Sequence, residues 1–326
     1  MNVIIPVAGI GKRLRPHTYS TPKCLLMVAG KPIVGHILDK LKDVKLNKVI
    51  LIVGYMRNKI REYVSKNYSF SISYIEQEEQ LGLGHAVWMT KDIAKNDSCL
   101  IIYGDTIFEG DILFDMEVDG CIGVRSVADP RRLGVVELTD GFISKFVEKP
   151  AQPRSNLAIL GVNFIKNSIA LFDTLDDIIS ENRRTANELQ LTDAFELMVE
   201  RGAKFKPFTL DGWYDCGTLE STLWANRELL AKQKIEAREQ KGNSVIILPV
   251  FIHKLAKVEH SIIGPNVSID RDVYIKNSMI FDSIINEGAV VEDSRIEHSI
   301  IGSNAIVKGI SGKINIGDFS VVHRGE

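Results

Sequence analysis

The sequence predicts an α/β fold for residues 1–230 and a short, left-handed parallel β-helix for the rest of the chain. In the first part, apolar runs alternate with amphipathic segments, as strands and helices do in a mostly parallel, Rossmann-like sheet covered on both faces. After Ala256 leucine is absent, and isoleucine and valine recur at intervals of about six residues, which is the period of hexapeptide solenoids. An ordinary β-sandwich is the alternative for this second part.

The individual elements follow from hydrophobic periodicity. The chain starts with the apolar strand Asn2–Val7, and Pro32 is placed to open a helix. A hairpin is expected around Asp140-Gly141. Further strands are predicted at Lys48–Val53, Ser71–Glu76 and Ser98–Tyr103, and helices at Met56–Lys66, Gly84–Ala94, Ser168–Ser180, Leu191–Arg201 and Leu219–Gln240.

Three segments are expected from this pattern. A catalytic domain occupies residues 1–230, and a linker at 231–244 forms the polar, charged end of the last helix. The β-helix occupies residues 245–326 with roughly four coils, each burying isoleucine and valine against the next. Stacked coils leave apolar ends that partners tend to cover, so a homo-oligomer is expected.

Composition excludes several classes of function. A net charge of −2 over 326 residues argues against a general nucleic-acid binder, and no apolar run approaches the ~20 residues that cross a membrane. The four cysteines are widely spaced, which predicts reduced thiols in a cytoplasmic protein. The acid-free start resembles a targeting peptide, but its apolar stretch precedes its basic residues, the reverse of a secretory signal.

A basic, glycine-rich loop follows the first strand. Gly9 and Gly11 allow close approach of the backbone to a ligand, while Lys12 and Arg13 add positive charge, and Lys23 comes a dozen residues later. Backbone N–H groups in such a loop bind anions, which predicts a phosphate site. The spacing fits neither the Walker A motif nor the dinucleotide fingerprint. A basic surface turn is the alternative.

This loop, with Thr21-Pro22-Lys23, resembles the signature of the sugar-1-phosphate nucleotidyltransferases, also called NDP-sugar pyrophosphorylases. The motifs are most similar to those of the glucose-1-phosphate uridylyl- and thymidylyltransferases. Further family motifs are matched in order by Gln77 with Leu81–Ala86, Tyr103–Asp105, Leu133–Val136, Val147–Pro150, Glu188–Asp193 and Trp213–Thr218. Together these stretches extend over essentially all of residues 1–230.

The resemblance implies roles for individual residues. The implied catalytic residues are Arg13, Lys23, Asp105 and Asp215, of which the two aspartates would hold Mg²⁺. The implied nucleotide-binding residues are Ala8, Gly9, Gly11, Lys12, Arg13, Gln77, Gly82 and Gly104, and the implied sugar-phosphate residues are Gly134, Glu148, Lys149, Ile159 and Gly161. Taken without the resemblance, the aspartates suit turns or helix caps, and Glu148-Lys149 suits a surface ion pair.

The implied reaction is attack by a sugar 1-phosphate on the α-phosphorus of an NTP, releasing pyrophosphate. UTP or dTTP and glucose 1-phosphate are the favoured substrates, with guanylyl transfer to mannose 1-phosphate as an alternative. Thr106 and Cys216 depart from the usual family residues beside the two metal aspartates, which bears on selectivity.

The predicted β-helix suggests a second activity, because such domains form the acetyltransferase half of bifunctional relatives. A histidine acts as the base there, and the candidates in this chain are His253, His260, His298 and His323. A regulatory protein with an inactive transferase domain is the third possibility.

Overall fold

The computed structural model describes residues 1–112, 114–233 and 243–325. The last helix ends at Lys232 and was predicted to continue, but Gln233 has an extended backbone with φ −71° and ψ 132°. Residues 234–240 of that predicted helix and most of the predicted linker at 231–244 fall outside the described ranges. The chain forms two compact units, one of Met1–Gly9 with Ile37–Trp213 and the other of Ile10–His36 with Tyr214–Glu326. The glycine-rich loop is thus grouped with the C-terminal part of the chain. The domain boundaries near residues 230 and 245 remain a prediction.

The predicted strands and helices before residue 233 are present, together with further strands that were not predicted. Strands are β1 (Asn2–Pro6), β2 (Met27–Val28), β3 (Lys31–Pro32), β4 (Lys48–Val53), β5 (Ile72–Glu76), β6 (Cys99–Ile102), β7 (Thr106–Glu109), β8 (Gly120–Ser126), β9 (Gly134–Thr139), β10 (Phe142–Glu148), β11 (Leu157–Ile165), β12 (Phe205–Phe208) and β13 (Gly212–Asp215). Helices are α1 (Ile33–Lys40), α2 (Arg57–Asn67), α3 (Leu83–Trp88), α4 (Lys91–Ala94), α5 (Ser168–Ser180), α6 (Leu191–Glu200) and α7 (Leu219–Lys232).

One predicted helix is divided in two. The segment Gly84–Ala94 was expected to be continuous, but it is interrupted between α3 and α4. At the interruption the Thr90 hydroxyl donates a hydrogen bond of 2.7 Å to the carbonyl of Val87, an alternative to regular helical bonding that threonine offers. None of the helices in the described residues has the length and hydropathy needed to cross a membrane.

The first unit contains a nine-stranded sheet in the order β5-β4-β1-β6-β11-β8-β12-β10-β9. Its first four strands are parallel, and their side chains at Val3, Ile4 and Ile5 are completely buried, as expected for strands covered on both faces. Beyond β6 the sheet is mixed, because β11 is antiparallel to both β6 and β8. The predicted α/β, Rossmann-like fold class is confirmed.

The predicted hairpin is also confirmed. Strands β9 and β10 pair antiparallel, with Phe142 opposite Thr139 and Glu148 opposite Gly134. Asp140 and Gly141 connect them with φ values of 52° and 81°, the left-handed conformation that two-residue hairpin turns require.

The C-terminal strands are short and regularly repeated. They are β14 (Val245–Ile246), β15 (Val250–Ile252), β16 (Lys257–Glu259), β17 (Ile262–Ile263), β18 (Val267–Ile269), β19 (Tyr274–Lys276), β20 (Met279–Phe281), β21 (Ile284–Ile285), β22 (Val290–Glu292), β23 (Arg295–Glu297), β24 (Ile300–Ile301), β25 (Ile306–Lys308), β26 (Ser311–Gly312), β27 (Asn315–Ile316) and β28 (Val321–His323). They form three five-stranded parallel sheets.

This arrangement is the predicted left-handed parallel β-helix, with five coils rather than the roughly four expected. The predicted range 245–326 includes the first coil, where Leu248-Pro249 interrupts the isoleucine and valine pattern, so only the number of coils was underestimated. Residues on the inward face stack in register, as Val258, Ile275 and Val291 do, and all three are buried. Serine hydroxyls add links between coils, since Ser261, Ser278 and Ser294 each accept an N–H of the following coil at 3.0–3.1 Å.

Candidate active site

The glycine-rich loop is fixed by contacts within its own unit. Gly11 has φ 69°, and a Cβ there would lie 3.0 Å from Thr18 Cγ2 and 3.1 Å from Lys23 Cβ. The Thr18 hydroxyl donates to the Gly11 carbonyl at 2.9 Å, and Leu14 is completely buried. Glycine is therefore required at this position both by backbone conformation and by the close approach of Lys23.

Two of the predicted catalytic residues, Arg13 and Asp215, lie near the same glycine in this unit. A Cβ on Gly217 would lie 3.0 Å from Arg13 Nη2 and 3.0 Å from each carboxylate oxygen of Asp215. The guanidinium and the carboxylate are thus neighbours on one side of Gly217. Arg15 has a different environment, since its guanidinium lies over the ring of Tyr19 at 4.8 Å.

Asp215 is held between a strand end and a capped helix. It ends β13, and the next residue, Cys216, is completely buried. Thr218 then caps α7, because its hydroxyl accepts the Ser221 N–H at 3.1 Å while the Ser221 hydroxyl accepts the Thr218 N–H at 3.0 Å. These contacts leave the backbone at Asp215 little freedom.

Asp105, in the other unit, lies in the turn that connects β6 to β7. Gly104 precedes it, and a Cβ on Gly104 would lie 2.3 Å from the carbonyl oxygen of Pro6 and 2.6 Å from Val7 Cγ1. The turn is therefore pressed against the end of β1. Since β1 and β6 are parallel neighbours, Asp105 is at the carboxyl edge of the sheet, where ligands bind in folds of this class.

The predicted base-recognition residues lie near the same edge. Gln77 follows β5 directly, is 8% exposed, and donates its backbone N–H to the Val53 carbonyl at 2.8 Å. Ala8 is buried and the following Gly9 is exposed. Gln80, which the sequence analysis did not single out, donates from Nε2 to the Ala8 carbonyl at 3.0 Å. A side-chain amide therefore fixes the backbone at the end of β1.

Gly82 is in close backbone contact with the loop before α6. A Cβ on Gly82 would lie 2.5 Å from the Leu189 carbonyl oxygen, and Gly82 has φ 119°. The Gly84 N–H donates to the same carbonyl, and the Leu189 N–H donates to the Leu81 carbonyl, both at 2.8 Å. The motif segment Leu81–Ala86 is thus packed backbone to backbone against the motif segment Glu188–Asp193. This close packing accounts for the glycines at 82 and 84.

The predicted sugar-phosphate residues converge on Glu148. The Thr192 hydroxyl donates to Glu148 Oε2 at 2.9 Å, and Lys149 Nζ is 3.0 Å from Oε1. A Cβ on Gly134 would meet Oε2 at 3.0 Å and Ile159 Cδ1 at 3.1 Å. The Glu148 side chain is only 9% exposed. A carboxylate with this burial and both oxygens engaged has a defined orientation.

Strand β11 is irregular beside this cluster. Its pairing with β8 shifts between Ile159 and Asn163, and Gly161 has φ 78°. The carbonyls of Leu160 and Gly161, at this irregularity, accept hydrogen bonds from other groups. Trp213 Nε1 donates to Leu160 O at 3.0 Å, and the Tyr103 N–H donates to Gly161 O at 2.8 Å. A bulge of this kind redirects the backbone, as is common next to active sites.

Asp193, at the start of α6, is a further unusual carboxylate. Its Oδ1 accepts the Thr185 hydroxyl at 3.1 Å, while Oδ2 is buried without a hydrogen-bond partner in the described residues. Burial raises the pKa of Asp193 above its usual value, and the Glu148 carboxylate acts in the same direction.

The donor chemistry fits a divalent cation. Asp105 and Asp215, which belong to different units, each carry a carboxylate, the kind of hard donor that Mg²⁺ prefers beside phosphates. Among residues 1–112, 114–233 and 243–325, no group of three or more His, Cys, Asp or Glu side chains is arranged to hold a metal ion.

Sequence reasoning missed Gln80, Thr192 and Gly217 as site-supporting residues. Thr192 and Gly217 fall inside motifs that were recognised, but only the contacts to Glu148 and Arg13 distinguish them from their neighbours. Gln80 lies between two recognised segments and has no sequence signal of its own.

Comparison with known proteins defines the class. The model of the family described as Nucleotidyl transferase matches residues 2–232, and the chain belongs to this family. It is 34% identical over 334 residues to a protein of Methanococcus maripaludis named Bifunctional protein GlmU, covering 93% of this chain and 78% of that protein.

Other similarities agree with this assignment. A glucose-1-phosphate thymidylyltransferase of Streptomyces griseus is 29% identical over 336 residues, covering 94% of this chain and 93% of that protein. A UDP-glucose pyrophosphorylase structure with bound UDP-glucose shares the fold, with a TM-score of 0.62 and 24% identity over 71% of this chain and 99% of that one. The protein is a sugar-phosphate nucleotidyltransferase, and members of its family generally use a divalent metal ion.

Proposed function

We propose that the enzyme condenses UTP or dTTP with glucose 1-phosphate to give an NDP-glucose and pyrophosphate, with Mg²⁺ as the metal ion. An oxygen of the sugar phosphate attacks the α-phosphorus, and the bond from that phosphorus to the β-phosphate oxygen breaks. The substrate choice is supported by the Streptomyces griseus relative, which aligns over nearly the full length of both chains and is named for thymidylyl transfer to glucose 1-phosphate.

The nucleotide is bound by the loop and by the strand ends of the parallel sheet. The Gln77 amide can both donate to and accept from a pyrimidine edge. The backbone N–H groups of Gly9 and Gly11 and the side chain of Lys12 bind the phosphates. Gly104, which allows its turn to approach β1 closely, keeps Asp105 near the same strand ends.

Arg13 and Lys23 neutralise the negative charge that otherwise keeps the two anionic substrates apart. Charge moves from the attacking oxygen to the pyrophosphate during the reaction, so fixed cations stabilise the transition state more than the substrates. When bound, Mg²⁺ held by Asp105 and Asp215 would supply further neutralisation of the phosphate oxygens. No covalent intermediate with the protein is needed.

The ordered carboxylate of Glu148 is the observation on which the proposal chiefly rests. Its two oxygens are oriented by Thr192 and Lys149. The absence of a side chain at Gly134 leaves the space that the carboxylate needs. A carboxylate in this position suits hydrogen bonds from sugar hydroxyls, and Lys149 suits the sugar phosphate. Ile159 forms the apolar side of this subsite. The bulged backbone at Gly161 forms the side that carries carbonyl groups.

A substrate screen tests the proposal. Pyrophosphate release is measured for ATP, GTP, UTP and dTTP against the 1-phosphates of glucose, mannose, galactose and N-acetylglucosamine, with Mg²⁺ and with EDTA. The expected result is highest kcat/KM for UTP or dTTP with glucose 1-phosphate, lost in EDTA. Preference for GTP with mannose 1-phosphate would establish guanylyl transfer instead.

Acetyl transfer by the β-helix is the second candidate, because the Methanococcus maripaludis relative is named a bifunctional protein. In this chain His260 and His298 are exposed and have φ values of 50° and 47°, and each occupies a corner between two successive strands. Release of CoA from acetyl-CoA with amino-sugar 1-phosphates as acceptors tests this activity. Release that depends on one of His253, His260, His298 or His323 would support it.

We further infer that the enzyme is cytoplasmic and assembles into a homo-oligomer. The four cysteines are free and buried, which suits a reducing compartment. Large apolar side chains are exposed in the first and last coils, with Val245 at 57% and Phe319 at 73%, and such surfaces tend to be covered by a partner. Light scattering coupled to size-exclusion chromatography measures the assembly.

A further inference from the structure

The basic loop is hydrogen-bonded to the last coil of the β-helix. Asp318 Oδ2 accepts from the Ser20 hydroxyl at 2.6 Å and from the Thr21 hydroxyl at 3.2 Å. Ser20 and Thr21 directly precede Pro22 and Lys23, so these bonds end two residues before a proposed catalytic cation. Hydrogen bonds to an ionised carboxylate are stronger than those between neutral groups.

Asp318 is itself held in place by the coil beneath it. Its other oxygen, Oδ1, accepts the Ser303 N–H at 2.8 Å. Gly317 lies against the loop, since a Cβ there would be 3.2 Å from Pro16 Cβ. One carboxylate therefore joins two coils of the β-helix to the segment that contains Lys23.

A second link joins the far end of the loop segment to the β-helix. Asn226 on α7 is 1% exposed, and its Oδ1 accepts the Ala29 N–H at 2.8 Å and the Ser268 hydroxyl at 2.6 Å. Its Nδ2 donates to the Asn266 carbonyl at 3.1 Å. In the sequence, Lys23 therefore lies between two anchored positions. The Asp318 carboxylate holds the residues before it, and the Asn226 amide holds Ala29 after it.

The interior of the loop is held by packing and by hydrogen bonds of its own, such as the one from the Thr18 hydroxyl to the Gly11 carbonyl at 2.9 Å. His17 is 1% exposed, and neither ring nitrogen has a hydrogen-bond partner within the described part of the chain. Gly11 and Lys23 are in direct contact, so a displacement of residues 20–23 is transmitted to the glycine that opens the loop. The two anchors add directional restraints at the ends of the segment that contains Lys23.

We propose that Asp318 is a positioning residue for nucleotidyl transfer: through Ser20 and Thr21 it holds Lys23 in the orientation that the NTP phosphates require. The β-helix in this chain is then part of the catalytic machinery as well as a surface for assembly. This inference rests on the proposed roles of Lys23 and the loop in binding the triphosphate.

The test compares the two sides of the contact. Asp318→Ala removes the acceptor, Ser20→Ala with Thr21→Val removes the donors, and a triple variant removes both. Asp293→Ala is the control, because Asp293 also bonds a neighbouring coil, through Asn277 Nδ2 at 3.2 Å, and makes this contact within the β-helix. Two quantities are measured for each variant: kcat and KM for the NTP, and amide hydrogen exchange of residues 10–25.

We expect Asp318→Ala and the donor variant each to lower kcat/KM for the NTP about ten-fold and to speed exchange in residues 10–25. The triple variant should be no worse than either, and Asp293→Ala should change neither quantity. The donor variant leaves the β-helix intact, so a folding defect in Asp318→Ala does not prevent the test.

Unchanged loop exchange in both variants would overturn the anchor, whatever the enzyme's substrate. Faster exchange with unchanged kcat/KM would overturn the positioning role. Failure of the proposed function would give a different result. The wild-type protein would then release no pyrophosphate from any NTP, while the variants would still show faster hydrogen exchange in residues 10–25.

Discussion

The Arg13 guanidinium and the Asp215 carboxylate both lie against Gly217, each with atoms 3.0 Å from the position of a Cβ there. A guanidinium group offers several N–H donors to an anionic ligand. The absence of a side chain at Gly217 leaves room for both groups. Arg13 is thereby distinguished from the other exposed cations of the loop.

Replacing Arg13 should therefore cost far more than replacing Arg15. We expect Arg13→Ala to reduce kcat/KM for the NTP about 100-fold, since it removes a cation aimed at the transferred charge. Arg15→Ala should have an effect of less than about three-fold, because Arg15 is stacked on Tyr19 and a surface cation–π contact of this kind is worth only ~0.5–1 kcal/mol. Equal losses in the two variants would contradict the assignment of Arg13.

Thr192→Val tests the sugar subsite without removing Glu148. The substitution keeps the shape of the side chain but removes the hydroxyl that bonds Oε2 at 2.9 Å. We expect KM for glucose 1-phosphate to rise about ten-fold, with KM for the NTP unchanged. Thr139→Val is the matched control, because Thr139 bonds Ser144 on the exposed hairpin. A rise in KM for the NTP alone would show that Glu148 serves the other substrate.

Asp105→Asn should abolish Mg²⁺-dependent turnover while the protein remains folded. The amide has nearly the same shape as the carboxylate but lacks its charge, which is what a hard cation requires. Asp140→Asn is the control, since Asp140 has φ 52° in the exposed hairpin turn and asparagine adopts that conformation readily. Near-normal pyrophosphate release by Asp105→Asn, with an unchanged melting temperature, would refute the metal assignment.

The buried His17 should make stability depend on pH. Burial lowers the pKa of His17 to about 4, against the opposing effect of the Asp318 carboxylate. Between pH 6.5 and 4 the unfolded chain binds a proton at this residue that the folded chain does not. Its contribution to stability is complete above pH 6.5 and is lost as the pH falls toward 4.

Urea denaturation at pH 7 and pH 5 measures this contribution. Between these two values the wild-type protein should lose about 2 kcal/mol more unfolding free energy than His17→Gln. His260→Gln, at an exposed corner of the β-helix, should behave like the wild type. Equal losses in the wild type and His17→Gln would show that His17 is protonated in the folded loop.

Local patterns were enough to predict most of the fold. Apolar runs located the parallel strands, Asp140-Gly141 located the hairpin, and the six-residue period identified the β-helix. The number of coils was underestimated because Leu248-Pro249 breaks that period in the first coil. The sequence does not mark the break within Gly84–Ala94, where the Thr90 hydroxyl bonds the Val87 carbonyl.

The site was only partly predictable. Motif residues such as Asp105, Glu148 and Asp215 are visible in the sequence, but the residues that orient them are not. The contacts of Thr192 with Glu148 and of Asp318 with Ser20 join positions 44 and 298 residues apart. Only the folded chain brings such pairs together, and a single aspartate or threonine has no sequence signal that marks its partner.

The transfer of label from UTP is the most direct test of the proposed reaction. The enzyme is incubated with glucose 1-phosphate, Mg²⁺ and UTP labelled either at the α- or at the γ-phosphorus, and the products are separated. Attack at the α-phosphorus predicts α-label in UDP-glucose and γ-label in pyrophosphate, with none bound to the protein. Recovery of γ-label in orthophosphate or in a sugar phosphate, or of α-label on the protein, would contradict it.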